Sequence, residues 1–298
     1  MVSPASPRPR VRTDHPHLGR TAVLGSKHGK GSLIALPLLG SIGLSVRTIE
    51  VDTDRLGTFA GDVPRTLPMR EAAIAKARMA MEEAGCALGL ASEGTIGPDP
   101  QVPLIVSDRE LIVLVDDASG VVHQESVRSM DITAASAVVR PGDDLDPFLA
   151  RAGFPAHRLI VRPEGIELAR LPTGLLNKGI ADRAALEATI RDCAAQSPTG
   201  QSRVESDLRA HCSPTRRTAI ARAAWRLGFR LASRCPACLA PGWGVVDKLR
   251  GLPCRMCGDW VPRAACGLVL GCGQCGHLVE RPDGRMAEDP GHCPCCNP

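Results

Sequence analysis

From Arg20 onward, apolar positions fall into short blocks whose spacing switches between that of strands and that of helices. Thr21–Leu24 reads as a short buried strand, and the string GSKHGKGS over 25–32 as a loop. Leu33–Leu44 is almost continuously apolar and predicts a helix interrupted at Pro37 and Gly40. Ser45–Val51 returns to strand character, and Asp52–Leu67 is a loop. Pro68–Ala84 is rich in helix formers and opens on a proline suited to the first turn. Ala87–Ala91 and Leu111–Val115 predict two more buried strands. Strands alternating with helices predict an α/β domain over residues 19–202, a mixed sheet with flanking helices. Residues 1–18 carry four prolines and mixed charge without a hydrophobic period, and predict a disordered tail.

Beyond residue 120 the pattern weakens. Phe148–Arg162 reads as a helix end, a Gly-Phe-Pro turn and a strand, and Asp182–Ala195 as a helix. Residues 203–234 predict a polar junction followed by a helix that Ser213-Pro214-Thr215 introduces. Asp207, Arg209 and His211 gather in that junction, where an ion-pair and capping network is the simpler reading than a site. Along the helix, Arg222, Arg226, Arg230 and Arg234 recur at i+4 opposite Ile220, Ala224, Leu227 and Leu231. Such a stripe is either a solvated face or a surface for an acidic or nucleic-acid partner.

The strongest chemical signal lies in the last stretch, 235–298. Cys235/Cys238, Cys254/Cys257, Cys272/Cys275 and Cys293/Cys296 are four Cys-x-x-Cys pairs, enough thiolate for two tetrahedral Zn²⁺ sites. The spacers within the first and last two pairs, 15 and 17 residues, fit zinc ribbons and favour pairing in sequence order. A cross-braced pairing, first with third and second with fourth, is the alternative that spacing leaves open. Both ions would be structural, because four sulfurs close each site and the short segment builds no core of its own. Cys266, Cys295, His277 and His292 are left over and read as non-ligands. The first 20 residues lack a secretory apolar core, which argues against disulfides and for a cytoplasmic protein.

Composition narrows the partners. The formal net charge is +4. Within Arg234–Pro298, seven Lys/Arg and six Asp/Glu leave a formal +1. Eight thiolates and two zinc ions would take the segment to about −3, a poor surface for a phosphate backbone. The absence of Tyr, with only three Trp and four Phe, also excludes an aromatic base-stacking platform. No apolar run reaches the ~20 residues of a membrane span.

The loop over 25–32 departs from a Walker motif, because Leu24 stands at the first glycine position and Gly31 follows the lysine. Lys27, His28 and Lys30 nevertheless lie on a glycine-rich turn before a helix, where free amides favour an anion. Asp52, Asp54, Asp62, Glu93, Asp108, Glu110 and Asp116 fall at predicted strand ends. From there, Asp54, Glu93 and Asp108 are candidate Mg²⁺ ligands, while Lys27, Lys30, Arg65 and Lys76 are candidate phosphate-binding groups.

The strings TAVLGSKHGK, DTDRLGTFAGDVPR, AIAKARMAMEEAG, LGLASEGTIGPDP and SDRELIVLVD, with GFPAHRLIVRP, VESDLRAHCSPTRR and a Cys-rich end closing on CNP, resemble an uncharacterised bacterial family, a domain of unknown function. The resemblance runs from about residue 20 to the end. Asp62, Thr95-Ile96, Asp99 and Ser213 depart from that family's pattern, which puts a metal or phosphate role for Asp62 and Asp99 in doubt. Over residues 20–117 a second resemblance, to house-cleaning nucleoside-triphosphate pyrophosphatases, rests on the Lys-bearing first loop, Ala-x-x-Lys-Ala at 73–77 and LGLASEGTIG. It implies Mg²⁺-dependent hydrolysis, with Lys27 and Lys30 on phosphate, Lys76 assisting, and Glu93 with Asp62 or Asp108 holding metal. Two readings therefore stand: a Mg²⁺-dependent hydrolase of nucleotides or other phosphorylated small molecules, and a non-catalytic zinc-ribbon adaptor for nucleic acid or protein.

Overall fold

The structure is a computed structural model that describes residues 14–26, 29–52, 56–57 and 66–298. Its first layer is built from β1 (Thr21–Gly25), β2 (Ser45–Ile49), β3 (Leu88–Pro98), β4 (Val106–Asp116) and β5 (Val121–Ser129). They form one sheet in the order β2-β1-β3-β4-β5. β1 runs parallel to both neighbours, whereas β3, β4 and β5 are antiparallel, so the sheet is mixed as expected. Alternation along the central strands sends Leu24, Leu90, Ile112 and Leu114 to one face and Val23, Ala91, Val113 and Val115 to the other. α2 (Met69–Ala84) covers the second face with the alanines Ala73, Ala77 and Ala80. The first face carries α1 (Gly31–Ile42) and a later helix, α5 (Pro214–Ala232).

Pro37 does not interrupt α1, contrary to the expectation from sequence. Its missing N–H costs one helical bond, but Ile34, Leu38 and Ile42 on either side are fully buried against the sheet and hold the helix through it. β3 and β4 also run well past their predicted ends. They continue as a long hairpin beyond the carboxyl end of β1, which puts Glu93, Asp108 and Glu110 inside strands rather than in loops.

Residues 136–206 form a second sheet where the sequence predicted a continuation of one domain. β6 (Ser136–Val139), β7 (Leu159–Pro163), β8 (Asn177–Ile180) and β9 (Ser202–Ser206) pair in the order β6-β9-β7-β8. All three pairings are antiparallel. α3 (Asp146–Ala152) and α4 (Arg183–Ala195) supply Phe148, Leu149, Leu186 and Ile190 to a core with Leu159, Val161 and Val204. Asp182 caps α4 by accepting from the Ala185 amide at 2.8 Å.

α5 returns to the first sheet, and its arginine stripe is largely engaged inside the molecule. Arg226 donates to the Ser126 carbonyl, Arg230 pairs with Glu125 at 3.0 Å, and Arg234 pairs with Asp14 at 3.0 Å. These contacts engage three of the four arginines within the molecule and leave Arg222 exposed without a described contact. The predicted tail is also ordered at its end. His15 and His17 are buried, with His15 Nε2 at 3.0 Å from the Leu231 carbonyl; residues 1–13 lie outside the described residues.

The chain closes with a three-stranded antiparallel ribbon of β10 (Gly244–Pro253), β11 (Trp260–Gly271) and β12 (Leu278–Pro282). Three register shifts interrupt the β10–β11 ladder. Arg230 ties the ribbon to α5 by donating to the Gly242 and Val245 carbonyls. Among the described residues no helix is long and apolar enough to cross a membrane.

α1 and α5 cross where Gly228 faces Ser41 and Pro37. A Cβ at Gly228 would lie 3.0 Å from Ser41 Cβ and 3.3 Å from the Pro37 carbonyl, with Ser41 Oγ nearer still. Helix propensity favours alanine there by about 1 kcal/mol, yet overpacking of a backbone crossing costs typically 1–3 kcal/mol. Gly228→Ala is expected to lower stability, read as a reduced urea midpoint; an unchanged or raised midpoint would show that the helices separate freely.

Candidate metal centre and buried charge cluster

Each cysteine pair sits in a tight knuckle at an end of the ribbon. In each, the first cysteine's carbonyl accepts from the amide four residues on, at Leu239, Gly258, Gly276 and Asn297. In the first three knuckles that residue has positive φ, 62° at Leu239, 76° at Gly258 and 72° at Gly276. The first sulfur accepts in turn from a backbone amide at 3.4 Å, from Ala237, Met256 and Gln274 respectively. These amides stabilise thiolate over thiol.

The knuckles group as Cys235, Cys238, Cys272 and Cys275 in one set and Cys254, Cys257, Cys293 and Cys296 in the other. This corrects the pairing in sequence order. The 15 residues after Cys238 hold one long strand rather than a hairpin. Ten residues of β10 carry the chain about 30 Å, to the far end of the ribbon. β11 brings it back to the third knuckle and β12 leads it down again to the fourth. Alternate pairs must therefore meet.

Sulfur separations across each set are 3.7 and 3.8 Å. A regular tetrahedron with 2.3 Å metal–sulfur arms has an edge of about 3.8 Å, so both sets fit one ion held by four thiolates. None of the thirteen cysteines is disulfide-bonded. The buried apolar cluster of the ribbon is small, and it gathers at the second set around Leu252, Val261 and Ala264. The leftover residues are mostly accounted for: Cys266 approaches the Gly251 carbonyl, His277 stacks on Trp243, and His292 pairs with Glu288. Cys295 instead lies beside Asp259 and Cys257.

A second cluster lies where β1 ends and α1 begins, at the carboxyl ends of the parallel strands. Lys30 donates to the Ser92 carbonyl at 3.2 Å. Lys76 reaches across from α2 to pair with Glu93. On β4, Glu110 pairs with Arg216 from α5 at 2.5 Å, both almost wholly buried, and Arg216 also donates to the Leu208 carbonyl. Gly94 makes room for the Glu110 carboxylate, which a Cβ there would strike. Asp108 is fully buried; among the described residues no protein donor meets either of its oxygens or Glu110 Oε2, and the two carboxyl groups lie close enough for a proton on Asp108 to be shared with Glu110.

Burial, then the neighbouring Glu110, pushes the Asp108 carboxyl up to about 7, against the pull of Arg216 and Lys30. Burial and Arg216 bring the Lys30 ammonium down to about 8, with Glu110 and Glu93 opposing. Both groups thus titrate near neutrality, a condition that clusters at functional sites.

Of the residues predicted for a phosphate and Mg²⁺ site, Lys30, Lys76, Glu93 and Asp108 gather here, while Lys27, Asp54 and Arg65, with His28 and Asp62, lie outside the described residues. Among the described residues no three carboxylates converge on one point; Asp54, the third member of the expected cation site, lies outside them. Asp52 is exposed, and Asp116 caps a turn by accepting from Ala118. Asp99 does the same for Gln101 and Val102 while binding Arg128. Asp207 and Arg209 form the expected ion pair at 2.6 Å. Arg216 was not anticipated, although its position four residues before Ile220, on the apolar face of α5, is a sequence signal.

Residues 76–298 match a family model described as a domain of unknown function (DUF6671), and the chain belongs to that family. Neither a curated protein nor a solved structure matches the chain. The matched region begins at Lys76 and includes the remainder of the charge cluster except Lys30, together with all eight clustered cysteines.

Three outcomes are expected. Cys238→Ser and Cys275→Ser should each lose the same ion and leave the other, whereas Cys257→Ser should lose the second. Metal analysis of purified variants checks this, and loss of different ions by the first two would restore the sequential pairing. Leu239→Gly should stabilise the first knuckle by about 1 kcal/mol, because leucine pays a steric cost at positive φ and, at 63% exposure, contributes little burial. Resistance of the metal to chelator is the measurement.

The third outcome follows from Asp108. Its folded-state value lies above the unfolded one, so its contribution to stability is present in acid and lost as pH rises towards about 7. Asp108→Asn should therefore gain stability relative to the parent between about pH 4 and about pH 7 in urea titrations, with a constant difference above that. A constant difference from acid to neutral pH would show that Asp108 keeps an ordinary carboxyl.

Proposed function

We propose that this member of the DUF6671 family is a zinc-stapled α/β protein that binds a phosphorylated small molecule of the nucleotide class at Lys30 and hydrolyses its phosphate anhydride. The observation that carries the reading is the set of three buried carboxylate oxygens, both of Asp108 and one of Glu110, that no protein donor meets among the described residues, so that only a shared proton or a cation relieves them. A buried carboxylate left in that state costs several kcal/mol unless a proton or a cation meets it. Mg²⁺ is bound by one or two carboxylates together with substrate phosphates, and Asp108 and Glu110, two apart on β4, are such a pair. Bound there, Mg²⁺ would neutralise charge on the phosphoryl group.

The residues of the chain divide the remaining tasks. Lys30, at the N-terminus of α1, offers a cation and adjoining backbone amides to phosphate. Arg216 holds Glu110 in place, and Lys76 holds Glu93. With the ion bound, Asp108 would be held as the carboxylate and would serve as a ligand, not as a proton acceptor. The eight clustered cysteines hold two structural Zn²⁺, which tetrahedral thiolate ligation favours, and the unpaired thiols suit a reducing cytoplasm.

A second reading, an adaptor for a protein partner, draws on a different feature. The ribbon exposes Val245, Val246, Met256, Trp260 and Leu278, more apolar surface than a metal-stapled module requires.

The test is a screen of standard and deaminated nucleoside triphosphates with Mg²⁺ or Mn²⁺. Turnover should require the divalent ion, and Asp108→Asn should lower the rate by at least about a hundredfold, the scale of a lost metal ligand. Lys30→Ala should weaken nucleotide binding as well. If no nucleotide binds or turns over, the hydrolase reading fails and the adaptor takes its place.

A further inference from the structure

We propose that Cys257, Asp259 and Cys295 form a third metal site, in which the Cys257 sulfur bridges to the ion of the second four-sulfur set. The inference rests on that set being metal-loaded, and not on the hydrolase reading. The two sulfurs and a carboxylate oxygen lie within 4.8 Å of one another, and all three residues are exposed.

The ribbon supplies an internal comparison. Its two four-sulfur sets use the same knuckles, so equivalent positions can be read across. Cys295 occupies the third place of its knuckle, where Ala237, Met256 and Gln274 stand in the others. Asp259 lies two residues past its second cysteine, where Ala240 and His277 stand elsewhere. The set of Cys254, Cys257, Cys293 and Cys296 thus has Asp259 and Cys295 at two positions where the other set has Ala240 and Gln274. The Cys295 thiol hydrogen-bonds to Asp259 and to Cys257, which draws the three groups together across two knuckles. The backbone bond that closes the turn forms equally well with alanine or glutamine at those places.

Electrostatics favour a further cation. Four thiolates around one divalent ion leave a formal charge of about −2 at the second set, and Asp259 adds another negative charge. A metal-bound thiolate retains lone pairs, so Cys257 can serve two ions without leaving the first. Cys295 must release its proton to solvent on binding, which makes occupancy rise with pH. Three protein donors leave one position for water, the composition of an open site rather than a closed one. Sulfur in two of the three places selects Zn²⁺, Co²⁺ or Cd²⁺ over Mg²⁺. Exposure on all sides means that this ion exchanges with solvent, while the eight-cysteine framework keeps its own two.

The experiment is equilibrium dialysis of the purified full chain against buffered free Zn²⁺, with metal content read by mass spectrometry. Three ions per chain are expected at saturation, of which a weak chelator removes one. Cys295→Ser and Asp259→Asn should each stop at two, with an unchanged amide spectrum. Substitution with ¹¹³Cd should show scalar coupling between two of three resonances, the signature of a shared sulfur. Saturation of the parent at two ions, three ions in Cys295→Ser, or three uncoupled resonances would each overturn the proposal. A fall to one ion in Cys295→Ser would overturn it as well, since Cys295 would then belong to the closed site.

Discussion

The pairing of Arg216 with Glu110 is the interaction on which most of this molecule depends. It joins the first turn of α5 to the middle of β4 across more than a hundred residues of sequence, with neither partner in contact with water. A pair in that setting is costly to make and far costlier to break, because losing one partner strands a charge in the interior. It therefore fixes where α5 lies. That placement lets Ile220, Leu227 and Leu231 complete the core over β4 and lets Arg230, at the other end of the helix, reach the ribbon. Asp108 owes part of its elevated affinity for a proton to the same carboxylate.

Lys30, Lys76, Glu93, Asp108, Glu110 and Arg216 also show how a protein interior tolerates so many ionisable groups. Two carboxylates have cations assigned to them, and one does not. The exception sits two residues from a paired neighbour on the same strand, so the two compete for whatever positive species is present. A site of that kind responds to its surroundings: protons, divalent ions and anionic ligands all change its charge at little structural cost.

Much of the first sheet was legible because its central strands are buried on both faces and read as uninterrupted apolar runs, Leu88–Ala91 and Leu111–Val115. Their extensions were not legible, since Glu93, Asp108 and Glu110 carry strand conformation into a polar stretch where charge normally marks a loop. The second sheet escaped for a related reason. β6, β8 and β9 are four or five residues long, with one inward-facing apolar residue apiece or little more, too short to establish a period. The cysteine ligands were plain from spacing, but their partners were not. Spacing counts residues, and what decided the pairing was that those residues are extended. The arginine stripe on α5 was correctly located, but sequence alone did not reveal that Glu125, Asp14 and the ribbon carbonyls would face part of it.

The interleaving of the two four-sulfur sets has a consequence for how the ribbon holds its alignment. β10 and β11 contain several glycines, and their ladder is broken by three irregularities, features that ordinarily let one strand creep along another by a residue at a time. With a metal clamp at only one end, such a defect could travel to the free end and vanish, shifting every side chain beyond it to the opposite face. Metal held by both sets would conserve the number of residues between them on each strand. The surplus residues would then be trapped, and each irregularity would become a permanent bend that sets the shape of the ribbon.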